Sequence, residues 1–323
     1  MSLPGSVRGP VDEAIRRLHD DDDSVAATSP VSGGCINRGV RLDTVAGRTY
    51  FLKWNPWAPA GMFEAEADGL CALGKAAQRV GEDHRLRVPE PLARSEAPAP
   101  TAGPAWFLTS WLAPGVEESD GDERLGRGLV LLHSVETTSD AGTGSDPTTP
   151  ADAVTYGWHR DNWIGSLPQS NEPARSWPEF WRDRRILPQL EQARHSGYFL
   201  DSLMDELVDA TTMALDDVEP SLLHGDLWSG NTYPTDEGRH ALVDPAVYRG
   251  DAEVDLAMTE LFGGFGPDFY AAYDDVRPIS SAYRSHRRAL YQLYYLLVHV
   301  NLFGRGYVAG CRRAAETVVA AVG

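Results

Sequence analysis

Two rhythms of apolar and polar positions run along this chain, and the change from one to the other divides it. From about Thr28 to Trp54 the pattern is that of strands broken by glycine. Val40-Arg41-Leu42 and Thr49-Tyr50-Phe51-Leu52-Lys53-Trp54 flank Ala46-Gly47, a hairpin-turn pair. From Met62 to Arg79 the residues Phe63, Ala67, Leu70, Leu73 and Ala77 recur at helical spacing. Val88-Pro89-Glu90-Pro91 ends that helix, and Trp106-Phe107-Leu108-Thr109 reads as a buried strand closed by Pro114-Gly115. Ahead of these, Val11 to Leu18 predicts a first amphipathic helix, followed by an acidic run, Asp20 to Asp23, that reads as a solvated loop. Further on, the helical rhythm dominates, with helices predicted over about 124–135, 177–194, 201–215, 251–262 and 281–303. The Tyr-rich run 291–299 is assigned to core packing. Residues 137–151, TTSDAGTGSDPTTPA, are low in complexity and read as a mobile loop. Strands, one helix, more strands, then helices predict an α+β fold of two lobes: a small β-rich lobe over 1–109 and a larger, mostly helical lobe over 110–323.

The chemistry is concentrated in Leu222-Leu223-His224-Gly225-Asp226-Leu227-Trp228-Ser229-Gly230-Asn231. An apolar pair enters a turn, and an Asp and an Asn follow five residues apart. Leu242-Val243-Asp244-Pro245 then places a second acid at the end of another short strand. Phosphoryl transfer needs this set. One carboxylate, Asp226, orients the attacking hydroxyl and takes its proton. Asn231 and Asp244 offer the hard oxygen ligands that suit Mg²⁺. Alone, Asp226 could be an ordinary turn residue; the His-x-Asp-x4-Asn spacing and the later acid are what single it out as catalytic. A lysine on the third strand should meet the ATP phosphates, and Lys53 sits in an otherwise apolar strand. It could instead be a lysine that protects a sheet edge. A buried ammonium needs an anion, and Glu64 and Glu66 are both at hand; helical phase favours Glu66. Ser32-Gly33-Gly34-Cys35-Ile36-Asn37 fills the place of a phosphate-binding loop, with Gly33 and Gly34 letting backbone N–H groups approach the nucleotide. A plain hairpin turn fits the same residues. On the substrate side, the Trp-, His- and Asn-dense stretch Tyr156–Asn171 offers amides and flat faces for a sugar, with Asn162, Trp163 and Asn171 as candidates beside His224 and Trp228. An irregular loop held by buried tryptophans is the alternative.

Composition changes this picture in three ways. The net charge of −18 argues against nucleic acid as a partner and suits a neutral or cationic substrate, though acidity also serves solubility. No apolar run is long enough to span a bilayer, and the first residues lack the apolar core of a secretory signal. The three cysteines, Cys35, Cys71 and Cys311, have neither disulfide nor metal-site spacing, so a reducing cytoplasm is the expected compartment.

LLHGDLWSGN, VDPAVYRGDAEVDLAMTELFGGF, the SGGCI loop, MFEAEADGL and NWIGSLPQSN together resemble the fructosamine kinase (ketosamine-3-kinase) family, over about Ser32 to Tyr307. That family belongs to the protein-kinase-like, aminoglycoside phosphotransferase-like group. The resemblance implies a bilobal kinase fold, ATP and Mg²⁺, and phosphorylation of the 3-hydroxyl of ketosamines such as ribulosamine, erythrulosamine or fructosamine adducts. The product falls apart and frees the amine, which is protein deglycation. It implies Asp226 as catalytic base, Asn231 and Asp244 as metal ligands, Lys53 as phosphate contact, and Thr109, Ser110 and Trp111 as adenine hinge. The alternatives are a related phosphotransferase acting on aminoglycoside, choline or homoserine, and a catalytically dead binding module. A monomer is expected, with a redox-linked dimer through Cys35 as the other possibility.

Overall fold

The computed structural model describes residues 3–31, 36–95, 103–135, 155–199 and 201–323. Gly33, Gly34 and Cys35, and the stretch 137–151, lie outside the described residues.

The small lobe is an antiparallel sheet of β1 (Val25–Pro30), β2 (Arg38–Thr44), β3 (Thr49–Asn55), β4 (Pro91–Arg94) and β5 (Ala105–Ser110), in the order β1-β2-β3-β5-β4. Side chains alternate across such a sheet, so each strand serves two faces. Val40, Leu42, Tyr50, Leu52, Trp54, Trp106 and Leu108 point to the outer face, where α1 (Gly5–His19) covers them with Val7, Val11 and Ile15. Those three lie at i, i+4 and i+8, one stripe of a helix. The opposite face presents Gly39, Phe51, Lys53 and Thr109 to a cleft. The α2 helix (Met62–Arg79) packs Met62, Phe63 and Leu70 against Ala105 and Phe107, while Leu73, Ala76 and Ala77 reach into the core of the large lobe. The acidic run after α1 is not wholly solvated. Asp23 is buried and accepts from the Ser24 and Ala46 N–H groups (both 2.9 Å) and from Arg48 Nη1 (2.8 Å), which ties it to the β2–β3 turn.

The large lobe is helical around α9 (Arg288–Phe303). Its earlier helices are α3 (Gly121–His133), α4 (Trp177–Trp181), α5 (Leu187–His195) and α6 (Leu203–Met213), followed by α7 (Glu253–Leu261) and α8 (Pro267–Val276), with α10 (Val308–Val322) last. π-helical turns at Arg182–Ile186 and Tyr283–Arg287 lead into α5 and α9. Buried Tyr291, Tyr294 and Tyr295 of α9 are core, and their hydroxyls donate to Asp251 Oδ2 (2.7 Å), Gln169 Oε1 (2.6 Å) and the Gly225 carbonyl (2.8 Å). Three two-stranded ribbons fix the loops that face the small lobe: β6 (Asn162–Ile164) with β7 (Leu167–Gln169), β8 (Ser221–Leu223) with β11 (Tyr248–Gly250), and β9 (Thr232–Pro234) with β10 (His240–Leu242). Helices α8 and α10 and strands β4, β6, β7, β9 and β11 are additions to the elements expected from the sequence.

Candidate active site

A cleft of about 810 Å³ lies between the sheet and the helical lobe, lined from one side by Phe51, Lys53, Glu66 and Thr109 and from the other by Asp226, Asn231 and Asp244. The β9–β10 ribbon explains how residues thirteen apart meet. Pairing of Thr232 with Leu242 sets Asn231 beside Val243, whose N–H donates to the Asn231 carbonyl (3.0 Å). The turn after β8 depends on Gly225: its φ is +80°, and a Cβ there would overlap the Ala246 carbonyl oxygen. The Ala246 N–H in turn donates to the His224 carbonyl (2.9 Å), so the turn and the segment after Asp244 hold each other. Asp244 itself has φ +57°, in the left-handed region, a conformation that the surrounding bonds must hold for a non-glycine residue.

Lys53 is buried and charged. Its Nζ donates to Glu66 Oε1 (2.6 Å) and touches the Asp244 carboxylate. Burial alone would lower its pKa; the charges of Asp244 and Glu66 outweigh that and raise it. Glu64 faces away and pairs with Arg160 (3.2 Å), as the helical phase of α2 predicts. Burial, joined by the Asp244 charge, pushes the Asp226 carboxyl up to about 7, against the Asn231 amide, which lowers it. Asn231 Nδ2 donates to the Asp226 carbonyl (2.8 Å) and to Asp226 Oδ2 (3.2 Å). Thr109, Ser110 and Trp111 line the cleft where β5 leaves the sheet, and Trp111 packs against Phe51 with ring centroids 6.5 Å apart.

A sequence profile of fructosamine kinases matches residues 10–321. The chain belongs to the fructosamine kinase family. A probable ketoamine kinase of Synechocystis is 40% identical over 281 residues, 86% of this chain and 85% of that one. The chloroplastic protein-ribulosamine 3-kinase of Arabidopsis thaliana is 36% identical over 286 residues, 86% of this chain and 78% of the relative. A solved structure of a putative fructosamine-3-kinase from Haemophilus somnus superposes with a TM-score of 0.79 at 25% identity, covering 95% of this chain and 96% of that one. The fold is the bilobal α+β fold of protein-kinase-like phosphotransferases.

In this member of the fructosamine kinase family, two residues expected to face substrate do not reach the cleft. His224 is fully buried, and burial lowers its pKa, which keeps the ring neutral. Its Nε2–H donates to the Val243 carbonyl (2.9 Å) and its Nδ1 accepts the Asp226 N–H (3.3 Å), so it ties the two acid-bearing segments together instead. Asn171 is also fully buried. Its Oδ1 accepts from Arg185 Nη2 (2.7 Å) and its Nδ2 donates to the Arg160 carbonyl (3.2 Å). Asn162 does line the cleft, but its amide is committed to the Val247 carbonyl (2.8 Å) and to Gln169 Nε2 (2.7 Å). Trp163 and Trp228 are half-buried in the cleft wall.

The sequence reading missed Asp255 of α7. It is fully buried and accepts from the N–H groups of His224 (2.7 Å) and Gly225 (2.9 Å) and from His133 Nε2 (3.2 Å), so it anchors the turn that carries Asp226. It also missed the α9 wall of the cleft, which Trp228 joins through Phe262. Tyr295, Val298, His299 and Leu302 line the cleft at i, i+3, i+4 and i+7 of α9. That stripe was visible in the sequence, but a helix apolar on every face does not reveal which stripe meets a cavity. His299 stands at the centre of an aromatic cluster, with centroids 4.9 Å from Phe262, 5.4 Å from Phe303 and 4.9 Å from Tyr307.

Proposed function

We propose that Asp226 aligns an acceptor hydroxyl with the γ-phosphorus of ATP, that Lys53 neutralises phosphate charge, and that Asn231 and Asp244 hold magnesium, in a chain that is an ATP-dependent ketosamine kinase. The observation that carries the reading is the meeting of these four side chains, distant in sequence, in one cleft between two lobes. We put the boundary between nucleotide-binding and catalytic lobes between residues 109 and 110, within the last residues of β5. A cytoplasmic location belongs to the same proposal, on cysteine usage; no described helix is long and apolar enough to cross a membrane.

Asp226 accepts the hydroxyl proton as the new P–O bond forms and the bond to the ADP oxygen breaks; the proton then passes to solvent. A carboxyl near 7 is well matched to that task at neutral pH. Asn231 and Asp244 would hold the magnesium, one amide oxygen and one carboxylate being hard ligands that suit such an ion. The ion would supply charge neutralisation at the phosphate oxygens. The phosphorylated hydroxyl is the 3-hydroxyl, in keeping with the name of the Arabidopsis relative.

The acceptor side favours a ketosamine over a polycationic aminoglycoside. The carboxylates among the described residues lining the cleft are Glu66, Asp226 and Asp244, all grouped about Lys53 and Asn231. Trp228, Phe262 and His299 offer flat faces and one imidazole rather than acids. The test is ATP consumption with ribulosyl-, erythrulosyl- and fructosyl-lysine side by side, with kanamycin, choline and homoserine as competitors. Turnover is expected on the ketosamines and should fall by roughly 10²-fold or more in Asp226→Asn. Turnover on kanamycin alone, or an Asp226→Asn variant as fast as the parent, overturns the reading.

A further inference from the structure

We propose that the loop Trp158–Asp161 is a clamp on α2, and that Trp158, Arg160 and Asp68 are positioning residues for the Lys53–Glu66 pair. The sequence pointed to this loop as a substrate contact. Its side chains go elsewhere. Trp158 Nε1 donates to Asp68 Oδ2 (2.7 Å), His159 Nε2 lies 3.3 Å from the same oxygen, and Arg160 Nη1 donates to Glu64 Oε1 (3.2 Å). Glu64 and Asp68 are one turn apart on α2, so the loop grips a single stripe of the helix. Glu66 projects from another face, toward Lys53.

The clamp has a rigid base. The Trp158 N–H donates to the Asn171 carbonyl (2.8 Å), and the Asn171 N–H donates to Asp161 Oδ1 (2.7 Å). Asn171 is held by Arg185, a fully buried guanidinium stacked 4.0 Å over the Tyr248 ring and donating to the Ser170 carbonyl (2.6 Å). A continuous path therefore runs from the core of the large lobe to a helix that carries a phosphate-side residue of the small lobe. On its other side α2 rests on the segment after Asp244: a Cβ at Gly69 would come within 3.0 Å of Val247 Cγ2. A helix turns as a unit. With a radius of about 5–6 Å including side chains, a roll of about 20° would carry the tip of Glu66 roughly 2 Å. That is more than a hydrogen bond to Lys53 tolerates. Gripping one stripe thus fixes the angle of Glu66 on another.

This inference rests on the kinase reading, and the experiment separates the two. ATP affinity in the presence of magnesium is measured by calorimetry, with kcat, KM for ATP and for ribulosyl-lysine, and the melting temperature. The variants are Trp158→Phe, Asp68→Ala, Asp68→Asn, Arg160→Gln and Glu66→Gln, and the double variant Asp68→Ala with Glu66→Gln. Asp68→Ala and Arg160→Gln should each weaken ATP binding and raise its KM about three- to tenfold, with KM for ribulosyl-lysine unchanged. Asp68→Asn, which keeps an oxygen for Trp158 Nε1, should recover most of the loss. In the Glu66→Gln background, Asp68→Ala should add nothing, because the coupling runs through Glu66. A drop in melting temperature with unchanged ATP affinity overturns the clamp and leaves a merely structural loop. Additive losses in the double variant overturn it as well. A parent protein that binds no ATP overturns the kinase reading, and the clamp with it.

Discussion

At the scale of single residues, burial decides what a polar side chain does. Lys53 could be singled out in the sequence because an ammonium in an apolar strand needs an anion, and helical phase picked Glu66 over Glu64. The contact with Asp244, 191 residues away, could not be read that way, because only the folded chain brings β3 and the end of β10 together. His224 and Asn171 show the converse: both sit in motif-like stretches, and both point inward. Asp23 makes the same point and gives a pH test. Although burial works against its charge, bonds from Thr44, Ala46, Arg48 and Ser24 lower its carboxyl to about 2. A lowered carboxyl stabilises the fold above its unfolded value near 4, and that contribution disappears as pH falls through 2. Asp23→Asn should therefore cost about 1–2 kcal/mol at pH 7. The gap in melting temperature to the parent should narrow as pH drops below 4. A gap that stays constant with pH would assign the loss to something other than the Asp23 charge.

At the scale of elements, long amphipathic patterns were legible and small-residue or short ones were not. The predicted helix over Met62 to Arg79 matches α2 at both ends. The buried stripe of α10 is built from Cys311, Ala314, Ala315 and Val318, mostly small side chains that each bury little area. Helix α8 buries Phe269, Ala272 and Tyr273, a stripe present in the sequence but hidden among glycines and aspartates. The turn between β8 and β9 was legible as a motif, and its geometry shows why Gly225 sits there. Gly225→Ala would need φ near +80° and would drive a methyl into the Ala246 carbonyl, displacing the neighbouring Asp244 segment. Turnover should fall roughly a hundredfold, as displacements of about 1 Å do at catalytic groups. Kinetic assay beside a melting curve checks this, and unchanged turnover would show that the turn can relax without moving Asp244.

At the scale of the whole molecule, the order of strands and helices carried the two-lobed architecture, and the motifs carried the floor of the cleft. The aromatic wall around His299 and the anchoring of the Asp226 turn by Asp255 depend on how α7 and α9 pack, which no local pattern encodes. The helix α1 has a consequence of its own. Val7, Val11 and Ile15 each lose all contact with water, a gain of about 1.5–3 kcal/mol apiece as an upper figure. A protein shortened to begin after residue 20 would leave a greasy slab of valine, leucine, tyrosine and tryptophan open on the back of its sheet. It should self-associate on a sizing column and recover as a single species when a peptide of residues 1–20 is added back. The leading segment thus acts as a built-in solubiliser, and shortening the chain from that end should cost handling before it costs chemistry.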